Sequence, residues 1–477
     1  MNQKPVKMLQ LKSKIFRAIL ILTIVLSFNS VYSQEIGSKV LTYSEFLGYV
    51  KKFHPRIKQS NLKISASEAE LMKARGAFDP KIEVDYDRKQ FKGSEYYSVL
   101  NSSFKIPTWY GIEVKASFDN GEGMYINPEN ATPNGGLTSV GIKIPVGQGL
   151  WINQRMTDLR KAKLEVQLSK AVQKLSVVAI LYDASVAYFD WLKVHNELKL
   201  YKNYLAFAEK RFEGITTLIE SGDKPAIDSI EAGIIVKNRK INLQDAELKV
   251  MKAKLELANF LWIENVPVEL QETIIPEEDI QLSIAKDLPQ NTLEVNSDGF
   301  SNHPKIESLQ QKIAILTLDR KLKANLLLPK LEVGYYYLSE PSYFDNYRFD
   351  DYKIGVNFTF PLFLRKERAT LNLAKLKLQD SELDLNLEQL QLNNKVKSSQ
   401  AELTALQSQL QITTSLVEDY SKMLKSEERL FSFGESSLFL INSRENSLIS
   451  SQISQITLEN RYLYSYANLF RTMGILE

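Results

Sequence analysis

The chain has 477 residues, 44% of them hydrophobic and 25% charged, a composition that excludes an intrinsically disordered protein and allows a large core or several domains. Its 60 Lys and Arg residues against 57 Asp and Glu leave a net charge of +3, so the balance does not indicate a nucleic-acid partner. The absence of cysteine excludes disulfides, thiolate catalysis and cysteine-based metal sites.

The first 33 residues predict a secretory signal peptide. A positively charged region precedes the short apolar run 18–27, and Val31 and Ser33 fit a cleavage site before Gln34. The alternative is an N-terminal transmembrane helix, but this run is well short of the ~20 apolar residues that a span needs. No other stretch predicts a membrane-spanning helix, so any membrane part is expected to consist of strands in a closed barrel.

Two matched motifs indicate that the chain is a tandem duplication. The sequence His-Pro-Arg-Ile at 54–57 is echoed by His-Pro-Lys-Ile at 303–306, and Pro-Lys at 80–81 is echoed at 329–330. The two prolines are 25 residues apart in both halves (80 − 55 and 329 − 304). The expected domains are a signal peptide at 1–33; a first repeat at 34–262, with strands at about 81–146 and long helices at about 153–262; an irregular linker at 263–300; and a second repeat at 301–477, with strands at about 330–361 and long helices at about 365–470.

Very long helices dominate both repeats. We predict helices at 42–77, 153–220, 226–262, 303–325, 365–431 and 438–470. A helix of ~67 residues extends about 100 Å, which is longer than a globular domain needs. The helix at 365–431 carries two series of leucines spaced by seven on nearly opposite sides, Leu376, Leu383 and Leu390, and Leu371, Leu378, Leu385 and Leu392. Two such seams require neighbours on both sides, either in the wall of a helical cylinder or in the interior of an ordinary bundle.

The segment 352–360 alternates apolar and polar residues over about the length of a tilted membrane strand. Pro361 ends it, because proline has no N–H to donate. The side chains expected to face lipid are Tyr352, Ile354, Val356, Phe358 and Phe360. Similar alternation occurs at 82–87, 140–144 and 331–337, with further candidate strands at 100–106 and 110–118. Aromatic residues cluster near the strand ends, as in the girdles of membrane barrels. The alternative is a soluble sandwich packed on helices.

No catalytic, cofactor or metal site is predicted. His54 and His303 stand at the matched His-Pro sites that open helices, and His195 has no second histidine at metal-ligand spacing. The glycines at 147 and 149 resemble a nucleotide-binding turn, but Ile152 breaks the Gly-x-Gly-x-x-Gly pattern. An enzyme is therefore not expected.

The signal peptide, the duplicated helix-strands-helix plan, the prolines at strand exits and the helical turns at Gly222 and Gly434 together resemble the TolC-like outer-membrane efflux proteins over about residues 42–476. The resemblance implies an α+β membrane protein, a homotrimer whose transmembrane β-barrel continues as a long periplasmic α-helical barrel. It also implies a passive exit duct without a cofactor, surrounded by outer-membrane lipid and docking to a periplasmic adaptor and an inner-membrane pump in efflux or type I secretion. Two to six strands cannot close a barrel alone, which agrees with the pooling of chains by cyclic symmetry.

Two features depart from the family pattern. The family places two strands in each half, whereas the first half here offers four; we expect residues 94–119 to form an extra hairpin outside the membrane, with a larger barrel as the alternative. Family members often place aspartates after the helical turns to ring the periplasmic entrance. Asp228, with Asp223, fits this position in the first repeat, and helix capping is the alternative role. Leu440 occupies the corresponding position in the second repeat.

A second class of function stays open at this point. An exported coiled-coil protein without a channel, such as an adhesin or an envelope spacer, would also have a signal peptide and long helices.

Overall fold

The computed structural model describes residues 40–278, 280, 302–343 and 348–474. The predicted signal peptide at 1–33 and residues 281–300 of the predicted linker lie outside these ranges.

In the first half, two short helices lead into four strands, and two long helices follow. The elements are β1 Val40–Leu41, α1 Tyr43–Phe53, α2 Pro55–Gly76, β2 Lys81–Phe91, β3 Ser94–Pro107, β4 Glu113–Glu122, β5 Leu137–Gly147, α3 Gln154–Glu220 and α4 Ile227–Ala258. Three two-residue strands come next, β6 Trp262–Ile263, β7 Val266–Pro267 and β8 Ile275–Pro276.

The second half repeats this plan with two strands in place of four. Its elements are α5 Pro304–Asn325, β9 Lys330–Ser339, β10 Tyr352–Thr359, α6 Arg365–Ser432 and α7 Leu438–Met473. The long helices α3 and α6 contain 67 and 68 residues.

The single helix expected at 42–77 is divided at His54. The backbone of His54 is extended, with φ −62° and ψ 131°, because the residue before a proline avoids the helical region. Pro55 then starts α2, where a missing N–H costs nothing because the first N–H groups of a helix have no intrahelical partner.

Six strands form one antiparallel sheet in the order β10-β9-β5-β4-β3-β2. Hydrogen bonds join β3 to β2 and β4, and β4 to β5. The hairpin expected at 94–119 is therefore not separate, because β3 and β4 belong to the same sheet as the other four strands. The sequence pattern understated these strands because serines such as Ser98 and Ser102 interrupt the apolar positions of β3.

The two prolines predicted to end strands behave differently. Pro145 lies within β5, opposite Glu332, and the strand continues to Gly147. In contrast, β10 ends at Thr359, so Phe360 and Pro361 follow the strand.

The long helices pack side by side, and their contacts define two lateral boundaries of the chain. α2 and α4 pack on α3; α3 also contacts α5 and α7, and α6 packs on α5 and α7. Thus α2 and α4 lie on one side of the chain and α6 lies on the other.

The two leucine seams of α6 have different environments. Leu378 and Leu392 are 6% and 5% exposed and contact the same chain, whereas Leu376, Leu383 and Leu390 are between 52% and 68% exposed. One seam is therefore uncovered in a single copy. This arrangement excludes the interpretation of α6 as the interior helix of an ordinary single-chain bundle.

The main apolar core surrounds the middle of α3. Tyr188 and Trp191 of α3 pack with Phe46 of α1 and Leu257 of α4. The Tyr188 hydroxyl donates to the Leu41 carbonyl oxygen at 2.6 Å and accepts from the Glu277 N–H at 3.1 Å. The described part of the linker after α4 is thus docked on the core, and β8 pairs with β1 in parallel.

One described helix is long and apolar enough to span a membrane, contrary to the expectation from sequence. It is α3, and 56% of its most apolar 18-residue window is buried in the protein. Because α3 passes through the core around Tyr188 and Trp191, packing against neighbouring helices accounts for this apolar stretch.

Candidate functional site: the sheet wall and the helical turns

The strand register places apolar side chains on one continuous face of the sheet. Along β10 and β9, Val356 lies opposite Val333, which in turn lies opposite Ile144 of β5. The same register extends to the other edge, and the face comprises Ile82, Val84 and Tyr86 of β2; Leu100, Phe104 and Ile106 of β3; Val114, Ala116 and Phe118 of β4; Val140, Ile142, Ile144 and Val146 of β5; Leu331, Val333, Tyr335 and Tyr337 of β9; and Tyr352, Ile354, Val356 and Phe358 of β10. Such a face is typical of a strand wall in contact with lipid.

The residues expected to contact lipid are located on this face, with one exception. Tyr352, Ile354, Val356 and Phe358 lie on β10 and are exposed in a single copy. Phe360 lies just past the end of the strand. Their contact with lipid stays a prediction.

The opposite face of the sheet is polar and carries ion pairs. Lys143 Nζ lies 2.8 Å from Glu332 Oε2, Lys330 Nζ lies 3.3 Å from Glu332 Oε1, and Lys105 pairs with Glu83. Charged side chains of both signs on the face opposite the apolar one are what a water-filled lumen requires.

Tyr336 lies on this polar face beside two glycines. A Cβ atom built on Gly141 would lie 2.6 Å from Tyr336 Cδ1, and one built on Gly334 would lie 2.9 Å from Tyr336 Cε2. Glycine at both positions therefore allows the aromatic ring to approach the sheet. This contact was not predicted from the sequence, although a glycine inside a strand next to a run of three tyrosines is a signal for it.

Aromatic clusters mark the two ends of the strands. At the β2–β3 turn, the Tyr96 ring centroid lies 5.9 Å from that of Phe91 and 4.7 Å from that of Tyr125. At the helical end, the rings of Phe78 and Trp109 stack at 5.7 Å. Tyr96 and Pro107 of β3 are eleven residue steps apart (107 − 96). At a rise of ~3.3 Å per step and a tilt of about 40°, the clusters are separated by a height of ~28 Å.

The two predicted helical turns have the same geometry. Gly222 has φ +83° and donates to Ile219 O at 3.0 Å, and the next residue, Asp223, donates to Leu218 O at 2.9 Å. Gly434 has φ +78°, and the corresponding bonds from it and from Glu435 are both 3.0 Å. A left-handed glycine with these backbone bonds closes a helix and reverses the chain.

The candidate entrance residues lie at the first turn. Asp223 is exposed and accepts a hydrogen bond from the Ser221 hydroxyl at 3.0 Å, whereas Asp228 lies in the first turn of α4. The N-cap of α4 is Ala226, so neither aspartate caps this helix. Lys224 Nζ lies 4.7 Å from the Phe431 ring centroid and joins the first turn to the second. A role of the two aspartates in an acidic entrance stays a prediction.

A buried charge cluster, which the sequence does not predict, joins the four long helices. Glu445 of α7 is 1% exposed; its Oε2 lies 2.6 Å from Arg211 of α3, and its Oε1 lies 3.1 Å from Arg239 of α4. Arg211 also reaches Glu428 of α6 at 3.7 Å. The members of each ion pair are more than 200 residues apart in sequence, so the pairing could not be predicted from the sequence. The available signal is a carboxylate at an inward position of α7, between the buried Ile441 and Leu448.

The histidines at the two matched motifs are structural. His303 is the N-cap of α5; its Nδ1 accepts the Lys305 N–H at 3.1 Å, which leaves Nε2 to donate to Thr472 O at 3.1 Å. Burial lowers the pKa of His303 and also that of His54, whose ring stacks on Phe260. The helix-opening role is confirmed for His303, whereas His54 occupies the same position without a side-chain cap bond.

The comparisons with known proteins agree with this architecture. Residues 297–475 match the family model described as Outer membrane efflux protein. The matched residues are those of the second repeat, and through them the chain resembles the outer-membrane efflux proteins. This likeness supports a location in the outer membrane and a role as an exit channel.

Three solved structures of similar fold are distant from this chain in sequence. The open state of the Neisseria gonorrhoeae MtrE outer membrane channel has a TM-score of 0.65 at 12% identity, with 91% of this chain and 89% of that chain covered. The Campylobacter jejuni CmeC outer membrane channel has a TM-score of 0.64 at 12% identity, with 91% and 85% covered. The Vibrio cholerae outer membrane protein VceC has a TM-score of 0.63 at 13% identity, with 91% and 97% covered. A search of curated proteins gives no match.

Proposed function

We propose that three copies of this chain assemble into one tube, which serves as the exit duct of a tripartite efflux or type I secretion system. The tube docks through its helical turns to a periplasmic adaptor, and through the adaptor to an inner-membrane pump that supplies the energy. The observation that carries this proposal is the uncovered leucine seam of α6, because an apolar seam on a long helix needs a partner that the single chain does not provide.

The opposite lateral boundary offers a matching seam. On α4, exposed apolar residues recur every seven positions, at Ile227, Ile234, Ile241, Leu248 and Leu255. Since α4 and α6 lie on opposite sides of the chain, the two seams can meet only between different copies, in a head-to-tail arrangement. A closed ring is the result when the rotation between copies completes a circle.

A single substitution on α6 tests the assembly. Leu383→Arg places a charge in the seam and is expected to convert the trimer into monomers, measured by mass after extraction into detergent. Gln391→Arg is the control, because Gln391 is exposed and lies about 80° around the same helix from Leu383. A wild-type chain that is monomeric and soluble without detergent would instead favour the coiled-coil adhesin or spacer.

Docking needs a separate experiment in cells. Crosslinking followed by purification of the chain through an affinity tag is expected to recover a periplasmic adaptor and an inner-membrane pump. Recovery of the trimer alone, from cells that actively export a substrate, would leave a channel without the proposed tripartite assembly.

The acidic entrance is proposed on the position of Asp223 and Asp228 at the first turn. If they line the constriction, the double variant Asp223→Asn with Asp228→Asn is expected to lower the cation-over-anion selectivity of single channels in planar bilayers. Glu435→Gln, at the second turn, is the matched control for a loss of charge nearby. Unchanged selectivity in the double variant would exclude the two aspartates from the constriction.

A further inference from the structure

The sheet of one copy has two open edges that can join to each other. The strands alternate in direction from β2 to β10, and each neighbouring pair is antiparallel. Because the number of strands is even, β2 and β10 run in opposite directions. The β10 edge of one copy can therefore continue the antiparallel ladder onto the β2 edge of the next, which removes the unpaired edges that lipid does not tolerate.

β3 and β4 are full members of the membrane wall. They contain 14 and 10 residues, and a tilted strand needs about 9 to 11 to cross a bilayer. Phe104 of β3 lies opposite Ile82 of β2 and Ala116 of β4, and Ala116 lies opposite Val140 of β5. The apolar face thus continues through both strands without changing side.

We propose that each copy contributes all six strands, so that three copies close an 18-stranded barrel through β10–β2 junctions. The proposal rests on the trimer proposed above and goes beyond it in the strand count, the identity of the joining strands and the width of the pore. Two strands from each half, the family pattern, would instead give twelve.

The strand count sets the diameter of the barrel. Strands ~4.8 Å apart and tilted by ~40° each occupy about 6.3 Å of circumference. Eighteen strands then give a backbone diameter of about 36 Å, against about 24 Å for twelve. Barrels of 16 to 18 strands leave an aqueous channel, so the lumen through the membrane is wide.

The helix arrangement also places the β2 edge and the β10 edge at the boundary between two copies. β2 follows α2, which lies on the α4 side of the chain, and α6 follows β10 on the other side. The β10–β2 junction in the membrane and the α6–α4 contact below it are therefore parts of one continuous interface between two copies.

A disulfide panel tests the junction, using the fact that the chain has no cysteine. Asn357→Cys, on the polar face of β10, is combined in turn with Glu83→Cys, Asp85→Cys or Asp87→Cys on the polar face of β2. We expect at least one pair to give a ladder of crosslinked chains that stops at three. Asn357→Cys with Val84→Cys is the control, because Val84 lies on the other face and should not crosslink.

The place of β3 in the membrane is tested by a fluorescent label on a single cysteine. A label at Phe104→Cys is expected to be quenched by brominated lipid chains several-fold more than the same label at the neighbouring Ser103→Cys, which faces the lumen. Equal and weak quenching at both sites in an intact trimer would overturn the six-strand wall and leave the trimer standing. A trimer in which no polar-face pair crosslinks would overturn the β10–β2 junction. The absence of any multi-chain species would contradict the proposed function itself.

Discussion

The sheet and the long helices of this chain bury opposite kinds of side chain. In the sheet, the apolar residues form one face, while the charged residues, such as Lys143 and Glu332, form the other face. In the helices, the interior is apolar and includes one deeply buried carboxylate, Glu445, between two arginines. This difference is the one expected between a barrel wall, with lipid outside and water inside, and a helix bundle, with water outside and packed side chains inside.

The sheet and the helices also differ in how strictly they specify the side chain at each position. A strand wall needs only alternation, so any of many apolar residues serves at a lipid-facing position. A buried ion pair fixes one geometry, because each charged group needs its partner at a defined place. Substitutions in the two regions are therefore expected to follow different rules.

The largest effect is expected in the helices, at Glu445. Glu445→Gln leaves Arg239 buried without a carboxylate and Arg211 with only Glu428 at 3.7 Å, and breaking a buried pair in this way costs about 3–5 kcal/mol. Chemical denaturation of the detergent-solubilised protein measures the change in the free energy of unfolding. The control is Glu209→Gln, which removes the exposed Lys240–Glu209 pair at 3.1 Å between the same helices α3 and α4.

The control change should cost less than about 1 kcal/mol, as exposed pairs do. Equal losses in the two variants would mean that the Glu445 cluster is hydrated in the assembled protein, and the contrast between sheet and helices would disappear.

The next effect tests the sheet. Val356→Arg places a charge on the apolar face and should cost about 2–4 kcal/mol if the residue lies near the middle of the bilayer. Asn357→Arg, one residue further on the polar face, should be tolerated. Heat denaturation of the protein in lipid vesicles provides the measurement, and similar losses at both positions would contradict the assignment of the two faces.

Much of the scaffold could be predicted from sequence, because its signals are periodic and local. The leucines spaced by seven on α6 indicated two contact surfaces, and the glycines at 222 and 434 located both turns. The sheet position of β3 and β4 could not be predicted with the same ease, because serines weaken the alternation and pairing partners are not encoded locally. The Glu445 cluster was inaccessible for a related reason, since its partners come from distant helices that only the fold brings together.

A smaller effect concerns the helical turn at Gly222. Alanine at its φ of +83° adopts a left-handed conformation, which costs about 1–2 kcal/mol. The matched control is Gly214→Ala in α3, the helix that ends just before Gly222; an added Cβ there meets nothing within 4 Å, and helix propensity should raise stability by up to ~1 kcal/mol. Opposite signs of the two changes in the free energy of unfolding are the expected result; equal signs would mean that the turn tolerates a side chain.

The smallest effect is a pH dependence of the free energy of unfolding, which arises from His303, outside the sheet. Burial holds the pKa of His303 below the ordinary value of 6.5, with contributions of opposite sign from Glu388 and Lys305. The unfolded chain therefore binds a proton at a higher pH than the folded chain. Stability is complete well above pH 6.5 and falls as the pH is lowered toward the pKa of the folded state, by at most about 0.8 kcal/mol at pH 6 for this histidine.

His303→Asn separates this titration from the role of the side chain at the start of α5. Asparagine can still accept the Lys305 N–H as an N-cap but does not titrate. The variant is expected to keep most of the stability at pH 8 and to lose less than the wild type between pH 8 and pH 6, measured by denaturant midpoints at each pH. The wild-type slope should persist in part, because burial also lowers the pKa of His54 and His195. An unchanged slope in the variant would show that protonation of His303 is not coupled to folding.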